Sequence, residues 1–413
     1  MTRTATAEST QTRLVWTFFW VVAIGQTAFI LAATVSSLAG GELASTRWSG
    51  LPSAFGTAGL AAGAMVFTWV AARFGRTASF TAGYLTAASG AAIAGYSITQ
   101  RSFPLLLLGM VILGLGQSTS HLARYAAADL RPSKRRATTI GMLVWAGTIG
   151  AVLGPRALNP AGKLAVSLGF EDLVGPYLSG AVLFGTGALV FATLLRPDPA
   201  KLAIDDEIDS LIRTDEPVRD RPALLGTVQT RLALVSMGLG QGVMVLVMTQ
   251  TPLHLRRIGE GLDVIGNVMT AHTLGMFAIA PLTGYLVKRL GTRAIISLGS
   301  AVLIGACALS FVGAAPARTV LLLPGLLLLG IGWNFTFVAG STHLMNDLTF
   351  QERTSIQGIG DTLTWIVGGS ASIASGFVVS GTSYSSLSLI GALLALVPIA
   401  ALVLWREHVT VAV

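Results

Sequence analysis

The chain has 413 residues, of which 53% are hydrophobic and only 11% are charged, whereas a soluble domain carries roughly 25% charged residues. Because a soluble surface needs charge to stay solvated and ionised groups in hydrocarbon are costly, this composition excludes an ordinary soluble domain and indicates a membrane protein. The net charge of +8 does not indicate a nucleic-acid partner, since the basic residues lie in short loops and form no groove interleaved with aromatic residues.

Twelve apolar segments are long enough to cross a bilayer, which takes about 20 mainly apolar residues. The first segment follows a short polar tail and is too long for a cleavable signal sequence, so we expect it to be retained as a helix. Glycine is abundant, at 48 residues, as expected where membrane helices approach each other through small side chains. The predicted spans, numbered one to twelve in chain order, are 14–37, 51–72, 78–99, 103–126, 138–157, 173–195, 230–252, 263–286, 293–313, 318–344, 355–380 and 384–405.

The longest polar stretch, residues 196–231, separates six predicted spans from the other six. We interpret it as a linker between two halves. The sequence therefore predicts an all-α membrane protein with twelve transmembrane helices in two pseudo-symmetric six-helix bundles. We expect residues 1–196 to form the first bundle, 197–229 a cytoplasmic linker and 230–413 the second bundle.

Lysine and arginine in the loops predict the orientation of the spans, because the cytoplasmic side of a membrane protein carries an excess of them. With both termini in the cytoplasm, most of the basic loop residues lie inside and few lie outside. We therefore expect a multi-pass protein of the cell inner membrane, with both termini in the cytoplasm.

Two loops match at a constant offset, which indicates a duplicated six-helix unit. The loop after span two contains Arg73, Gly75 and Arg76. The loop after span eight contains Lys288, Arg289 and Gly291. Arg73 and Arg289 are 216 positions apart, as are Gly75 and Gly291.

A second pair of matching positions follows the fourth span of each half. Asp129 lies six residues before Arg135, and Asp347 lies six residues before Arg353, at an offset of 218. We expect Asp129 to pair with Arg135 or Arg136, and Asp347 with Arg353, as contacts of a cytoplasmic gate. A duplicated unit of this kind places its binding site between the halves, near the bilayer midplane.

These loops resemble those of the major facilitator superfamily, in which the loop between spans two and three reads Gly-x-x-x-Asp-Arg-x-Gly-Arg-Arg/Lys. In this sequence the glycine, the aspartate and the final basic residue of the first copy are replaced by Thr68, Ala72 and Thr77. The second copy keeps Gly284, Arg289 and Gly291 and has Lys288 for the aspartate. The resemblance covers nearly the whole chain. It implies two bundles around a central cavity, alternating access, and a loop that locks conformational states, here without its usual carboxylate.

Span five carries Gly141, Gly150 and Gly154, the last followed by Pro155. This pattern is similar to a motif that is common in proton-coupled antiporters of the superfamily, and it therefore implies export. Glycines at these spacings also give a helix one smooth face, and a Gly-Pro pair ends or kinks a helix. Tight helix packing is the alternative interpretation.

Methionine and histidine form one stripe in span seven and another in span eight. Met244 and Met248 are four residues apart, as are His272 and Met276, so each pair lies on one helix face. Thioether and imidazole groups suit Cu(I) and do not suit Mg²⁺ or Ca²⁺. Facing stripes would form a ladder of ligands from the outer surface toward the midplane. The alternative is packing, because methionine is an ordinary filler of helix interfaces.

This pairing looks like the CcoA-like copper importers, a subgroup of the superfamily that uses such residues on spans seven and eight as metal ligands. The end of span four, from Arg124 and Tyr125 to Asp129, also resembles that subgroup. Riboflavin-type and drug-type carriers look similar in these regions. The motifs are therefore more specific to a subgroup than to copper.

Three further polar residues within the spans are candidates for proton coupling. Asp361 lies in span eleven, and an intramembrane carboxylate is a functional candidate by default. His121 and His343 lie in spans four and ten, and histidine titrates near neutrality. The alternatives are hydrogen-bonded histidines at helix interfaces and, for Asp361, a buried partner such as Arg124.

Three functions follow as hypotheses. The leading one is a secondary active transporter that takes up copper by alternating access. The second is a proton-coupled exporter of small organic compounds, and the third is a membrane receptor or assembly factor that transports nothing. We expect no enzyme, because the sequence has neither a P-loop nor a nucleophile elbow. We expect no cofactor, a small-molecule or metal-ion substrate, and a monomer in the lipid bilayer.

Overall fold

The computed structural model describes residues 2–202, 221–345, 348 and 350–405. Residues 203–220 of the predicted linker lie outside the described residues, as does the predicted gate residue Asp347. Arg353 is described as part of a helix, without its side chain. The regular structure of the described residues is helical.

In the N-terminal half, six long helices match the six predicted spans, and two shorter helices lie between them. The helices are α1 (Thr2–Thr34), α2 (Ser36–Leu43), α3 (Leu51–Phe74), α4 (Arg76–Thr99), α5 (Phe103–Ala128), α6 (Ser133–Arg156), α7 (Leu158–Ser167) and α8 (Val174–Leu194). Short 3-10 turns follow α2 and α8, at Thr46–Trp48 and Pro199–Lys201.

The C-terminal half repeats this order, with one of its spans divided into two helices. The helices are α9 (Arg221–Gly226), α10 (Val228–Arg257), α11 (Leu262–Phe277), α12 (Ala280–Leu290), α13 (Thr292–Gly313), α14 (Leu322–Met345), α15 (Phe350–Gly381) and α16 (Tyr384–Leu404). A 3-10 turn at Pro316–Leu321 precedes α14.

Eleven helical stretches among the described residues are long and apolar enough to cross a membrane. The predicted third span is not one of them, although it forms the 24-residue helix α4. Its sequence is rich in alanine, glycine, serine and threonine, which suits a helix that packs closely against its neighbours. Every predicted span is helical, with span eight divided into two helices, so the predicted all-α membrane fold is confirmed.

Contacts within the chain divide the described residues into two compact units. The first unit contains the residues up to 202 together with Gly259–Thr270, and the second contains the remainder. The segment Gly259–Thr270 contains the start of span eight. The following residues of that span pack within the second unit.

Helix α5 is central to the first unit and packs closely against α3 and α4. A Cβ atom on Gly114 of α5 would lie 2.0 Å from the carbonyl oxygen of Gly56 in α3. A Cβ atom on Gly90 of α4 would lie 2.2 Å from the backbone nitrogen of Leu113. The three helices therefore meet backbone against backbone, as the high glycine content predicts.

Tyr84 of α4 is a buried polar residue at the centre of the first unit. Its hydroxyl group donates to the carbonyl oxygen of Val21, at 3.0 Å, and lies 2.9 Å from the hydroxyl group of Ser120. Its ring meets Phe184 and Phe191 edge-on, with centroids 5.5 and 5.0 Å away. This one side chain therefore joins α1, α4, α5 and α8.

Helix α10 is central to the second unit and packs along α14, α15 and α16. Near its start, Met237 belongs to an apolar cluster with Ala233, Leu344 and Ile356. Near its end, Gln250 donates to the Ser375 hydroxyl group at 2.8 Å. Both ends of α10 are thus tied into the same bundle.

Span eight, predicted as one helix, is divided at residues 278–279. Pro281 explains the break, because it has no N–H group to bond to the carbonyl oxygen one turn earlier. Asn334 of α14 compensates by donating to the carbonyl oxygen of Met276, at 2.6 Å. Thr283 donates to the side-chain oxygen of Asn334, at 2.5 Å. The interruption is therefore held by hydrogen bonds to α14.

Replacing Tyr84 by phenylalanine should destabilise the first unit. The Tyr84 hydroxyl group has two buried hydrogen-bond contacts, and the loss of each costs about 0.5–1.5 kcal/mol. We expect a lower unfolding temperature for the detergent-purified variant. Tyr96→Phe is the matched control, because Tyr96 is 57% exposed and should tolerate the change. Equal unfolding temperatures for the two variants would contradict a stabilising role for the Tyr84 hydroxyl group.

Candidate functional site

The four predicted copper ligands have different surroundings. His272 is fully buried, and its Nδ1 atom lies 3.0 Å from the carbonyl oxygen of Leu326 in α14. Its Nε2 atom has no hydrogen-bond partner among the described residues. Met276, one turn later, is half-buried. These two residues therefore lie along α14, next to the break in span eight.

The other two predicted ligands lie on α10. Met244 is buried, at 3% exposure, and Met248 is half-buried. Met237, which continues the stripe, packs in an apolar cluster, as the alternative interpretation expects. A metal site built from all four ligands stays a prediction.

Each proton-coupling candidate lies on a spanning helix. His121 on α5 and Asp361 on α15 are half-buried. His343 is almost fully buried near the end of α14, and its Nδ1 atom lies 2.9 Å from the hydroxyl group of Thr292 at the start of α13. The contact with Thr292 matches the predicted alternative of a hydrogen-bonded histidine at an interface. Proton coupling stays a prediction for all three residues.

The predicted gate residues of the first half meet where α3 turns into α4. Arg76 forms an ion pair with Asp129 at the end of α5 and also donates to the carbonyl oxygen of Ala126, at 3.3 Å. Arg135, one of the two expected partners of Asp129, has an exposed side chain. The structure therefore pairs Asp129 with Arg76 in place of the predicted Arg135 or Arg136.

A carboxylate from a distant part of the chain lies against the same turn, and the motif comparison missed it. Asp198, just after α8, accepts a hydrogen bond from the backbone N–H group of Thr77, at 3.0 Å. Gly75 has a φ of +88°, and a Cβ atom there would lie 2.6 Å from Asp198. Glycine is required at this position for its backbone conformation and for the close approach. Asp198 thus supplies a carboxylate to a loop whose sequence has Ala72 at the usual place.

The remaining gate residues of this group are mostly exposed. Arg73 has an exposed side chain, as do Lys288 and Arg289 in the second copy of the loop. The Arg289 guanidinium group lies 5.1 Å from the centre of the Tyr285 ring. Gly291 repeats the positive φ, at +83°, so the backbone turn is kept in both copies.

The glycines of span five pack against α1. A Cβ atom on Gly150 would lie 2.6 Å from Gln26, and one on Gly154 would lie 3.0 Å from Ile30. Gly141 has nothing within 4 Å of such an atom. Pro155 lies inside α6, which ends one residue later. Two of the three glycines thus serve helix packing, as the alternative interpretation expects.

Aromatic side chains and one amide meet in the second unit. The indole N–H group of Trp333 on α14 donates to the side-chain oxygen of Gln241 on α10, at 2.6 Å. The Trp333 ring stacks on Phe337, with centroids 5.0 Å apart and planes 14° apart, and meets Phe277 at 6.2 Å. The three aromatic residues are half-buried. We call Gln241, Phe277, Trp333 and Phe337 the aromatic site.

The aromatic site also involves α15. A Cβ atom on Gly368 would lie 3.1 Å from the side-chain nitrogen of Gln241. Sequence analysis did not identify this site, because Gln241 and Trp333 are 92 positions apart. The only available signal was two polar side chains within apolar spans.

The family model of the Major Facilitator Superfamily matches residues 15–372. The chain belongs to this superfamily. The match covers most of both halves of the chain. The protein is therefore a multi-pass membrane transporter that works by secondary transport, and it is not an enzyme.

Relatives of known sequence match along nearly the whole chain. The uncharacterized MFS-type transporter YdeG of Bacillus subtilis (strain 168) is 34% identical over 392 residues, which are 93% of this chain and 89% of the relative. The riboflavin transporter RfnT of Brucella anthropi is 27% identical over 384 residues, which are 92% of each chain. Neither similarity singles out the copper importers within the superfamily.

The fold also matches solved structures of the superfamily. The crystal structure of the nucleoside transporter NupG has a TM-score of 0.69 and 18% identity, and the match covers 97% of this chain and 99% of that one. The D-xylose-proton symporter has a TM-score of 0.71 and 18% identity, with coverage of 96% and 97%. At these identities the likeness shows the fold alone.

Replacing Gly150 by alanine should destabilise this transporter, whereas replacing Gly141 should not. The new methyl group at position 150 would also lie 2.6 Å from the backbone nitrogen of Thr27, and such overpacking costs about 1–3 kcal/mol. Gly141→Ala is the matched control within the same motif and the same helix. Thermal unfolding in detergent measures both variants. Equal unfolding temperatures would refute the packing role of Gly150.

Proposed function

We propose that the protein transports a small, planar organic molecule that binds at the aromatic site of the second unit. The observation that carries this proposal is the pair formed by Trp333 and Phe337, held in place by the hydrogen bond from the indole group to Gln241. Aromatic rings bind planar ligands by offset stacking or edge-to-face contact. A half-buried stack within a membrane bundle suits such a ligand.

The polar part of the site supports the same class of substrate. The side-chain oxygen of Gln241 accepts the indole hydrogen, so its amide group offers N–H donors to a ligand. A site with large apolar surfaces and a few placed polar groups is typical of small-molecule recognition. Heteroaromatic molecules with carbonyl acceptors meet both requirements.

The similarity to a riboflavin transporter over 92% of both chains points in the same direction. Riboflavin carries a planar ring system with carbonyl acceptors and is therefore a suitable probe. The proposal concerns the class of substrate, and riboflavin is its first test molecule.

We further propose that a proton gradient drives export of this substrate. Asp361 lies seven residues before Gly368 on α15, so the two residues share a helix face. That face meets Gln241. A half-buried carboxylate two turns from the aromatic site suits a coupling role. From the basic loops, we further infer the cytoplasmic membrane as the location, with both termini in the cytoplasm.

Replacing Trp333 by alanine should weaken riboflavin transport. Loss of the stacking surface should raise the KM for riboflavin about tenfold or more, because stacking contributes about 0.5–1.5 kcal/mol beyond the buried area. Riboflavin flux into proteoliposomes measures this effect. Trp333→Phe keeps a ring and should retain part of the affinity. Trp69→Ala is the control, because Trp69 lies in the first unit and is 62% exposed. Unchanged kinetics in W333A would reject the aromatic site.

Copper is the second candidate substrate. It is supported by the buried His272, whose Nδ1 atom is tied to a backbone carbonyl group and whose Nε2 atom has no partner among the described residues. A hydrogen bond from one ring nitrogen to a carbonyl group orients the other ring nitrogen of histidine ligands in metal sites. Met276, on the same face, would supply a soft sulfur ligand. Met244 and Met248 would complete the predicted set.

Copper accumulation in expressing cells distinguishes the two candidates. Under the organic-solute proposal, we expect equal accumulation with the wild type, with the variant that has alanine at all four predicted ligands, and with an empty vector. Met237→Ala is the packing control. Accumulation that requires the wild-type ligands and persists in M237A would make copper the substrate, provided that the variants reach the membrane at equal levels.

A further inference from the structure

Helix α5 carries a polar strip within the first unit. Gln117, His121 and Arg124 are spaced i, i+4 and i+7 and share one helix face. Gln117 is fully buried, and its amide donates to the side-chain oxygen of Gln26 on α1, at 3.1 Å. The strip therefore combines amide, imidazole and guanidinium groups on the packed side of the helix.

The charge of this strip is unbalanced within the spans of its half. The six predicted spans of the N-terminal half contain no aspartate, glutamate or lysine, and their only arginines are Arg124 and Arg156. Arg156 is the last residue of α6 and is exposed. Arg124 lies four residues before the end of α5, about 6 Å inside it. A cation in this position is costly and usually pairs with a partner or serves a ligand.

The surroundings of Arg124 leave a donor unused. Its guanidinium group lies 4.9 Å from the centre of the Tyr125 ring. Its Nε atom is buried and has no hydrogen-bond partner within the part of the chain that the structure describes. Buried polar atoms are normally satisfied. A side chain that only reached toward water at the helix end would not bury this atom.

We propose that Arg124 is the anion-binding residue of the first unit and binds a carboxylate or a phosphate group. Guanidinium groups match both anions by paired N–H donors. No aspartate or glutamate in the predicted spans of this half opposes an anion. This site adds to the proposed function, because it makes a negatively charged molecule or ion a ligand of the transporter. It does not depend on the aromatic site.

Thermal unfolding of the full-length protein in detergent, titrated with matched ligands, tests the proposal. The ligands are riboflavin and riboflavin 5′-phosphate, which differ by one phosphate group, together with inorganic phosphate and benzoate. A ligand that binds the folded state raises the unfolding temperature according to its affinity. We expect riboflavin 5′-phosphate to bind at least about tenfold more tightly than riboflavin, as charge-assisted hydrogen bonds suggest.

The variants assign that preference to Arg124. Arg124→Gln should reduce the affinity for riboflavin 5′-phosphate to that for riboflavin, and Arg124→Lys should keep part of the difference. Arg156→Gln removes the same charge elsewhere and should change nothing. Stabilisation by inorganic phosphate alone, lost in R124Q, would assign the site to a free anion. Stabilisation by benzoate or the flavin phosphate without inorganic phosphate would assign it to an organic substrate.

Two outcomes would overturn the anion site. One is an equal response of the wild type and R124Q to all three anions. The other is that the double variant R124Q/D361N regains the stabilisation by anions that R124Q has lost. That result would make the Asp361 carboxylate the partner of Arg124. Failure of the aromatic-site proposal is a separate result, since W333A would then leave riboflavin binding unchanged whatever R124Q does.

Discussion

The bilayer interior offers no hydrogen-bond partner, and this constraint governs most of the structure. Backbone N–H and C=O groups in a span must be satisfied by the protein itself, and buried polar side chains usually are. Helices satisfy their own backbones, and glycine lets neighbouring backbones come within contact distance. Where a backbone is interrupted, another side chain must compensate, as Asn334 does at the carbonyl oxygen of Met276. The buried hydroxyl group of Tyr84 obeys the same rule.

The same constraint separates structural from functional polar groups. Thr283, Gln250 and Gln117 use their polar atoms on other parts of the protein, so their role in packing is sufficient to explain them. The Nε atom of Arg124 and the Nε2 atom of His272 are buried and unsatisfied among the described residues. Such groups are retained at a cost in stability. A ligand that bonds to such an atom would offset this cost.

The sequence predicts the fold well, because spans depend on local composition and helix length. It also places the Gly75 turn and the span-five glycines in their correct elements. Sequence analysis does not predict which side chains of two distant segments come into contact. Two contacts join residues about a hundred positions apart, and no local sequence pattern predicts either of them. They are the contact of Gln241 with Trp333 and that of Asp198 with Thr77. The methionine stripe stays a prediction, because periodicity identifies a helix face without showing whether that face binds a ligand or packs against a neighbour. Met237, which continues that stripe, packs in an apolar cluster.

The contact between the third and fourth span of each half has a consequence for how the two halves diverged. In the first half an ion pair joins Arg76 to Asp129, and in the second a hydrogen bond joins Thr292 to His343. Arg76 and Thr292 each follow the positive-φ glycine of the repeat. Duplication has therefore preserved one junction between neighbouring spans in two chemical versions. Two oppositely charged side chains form it in the first half, and a hydroxyl group and an imidazole ring form it in the second.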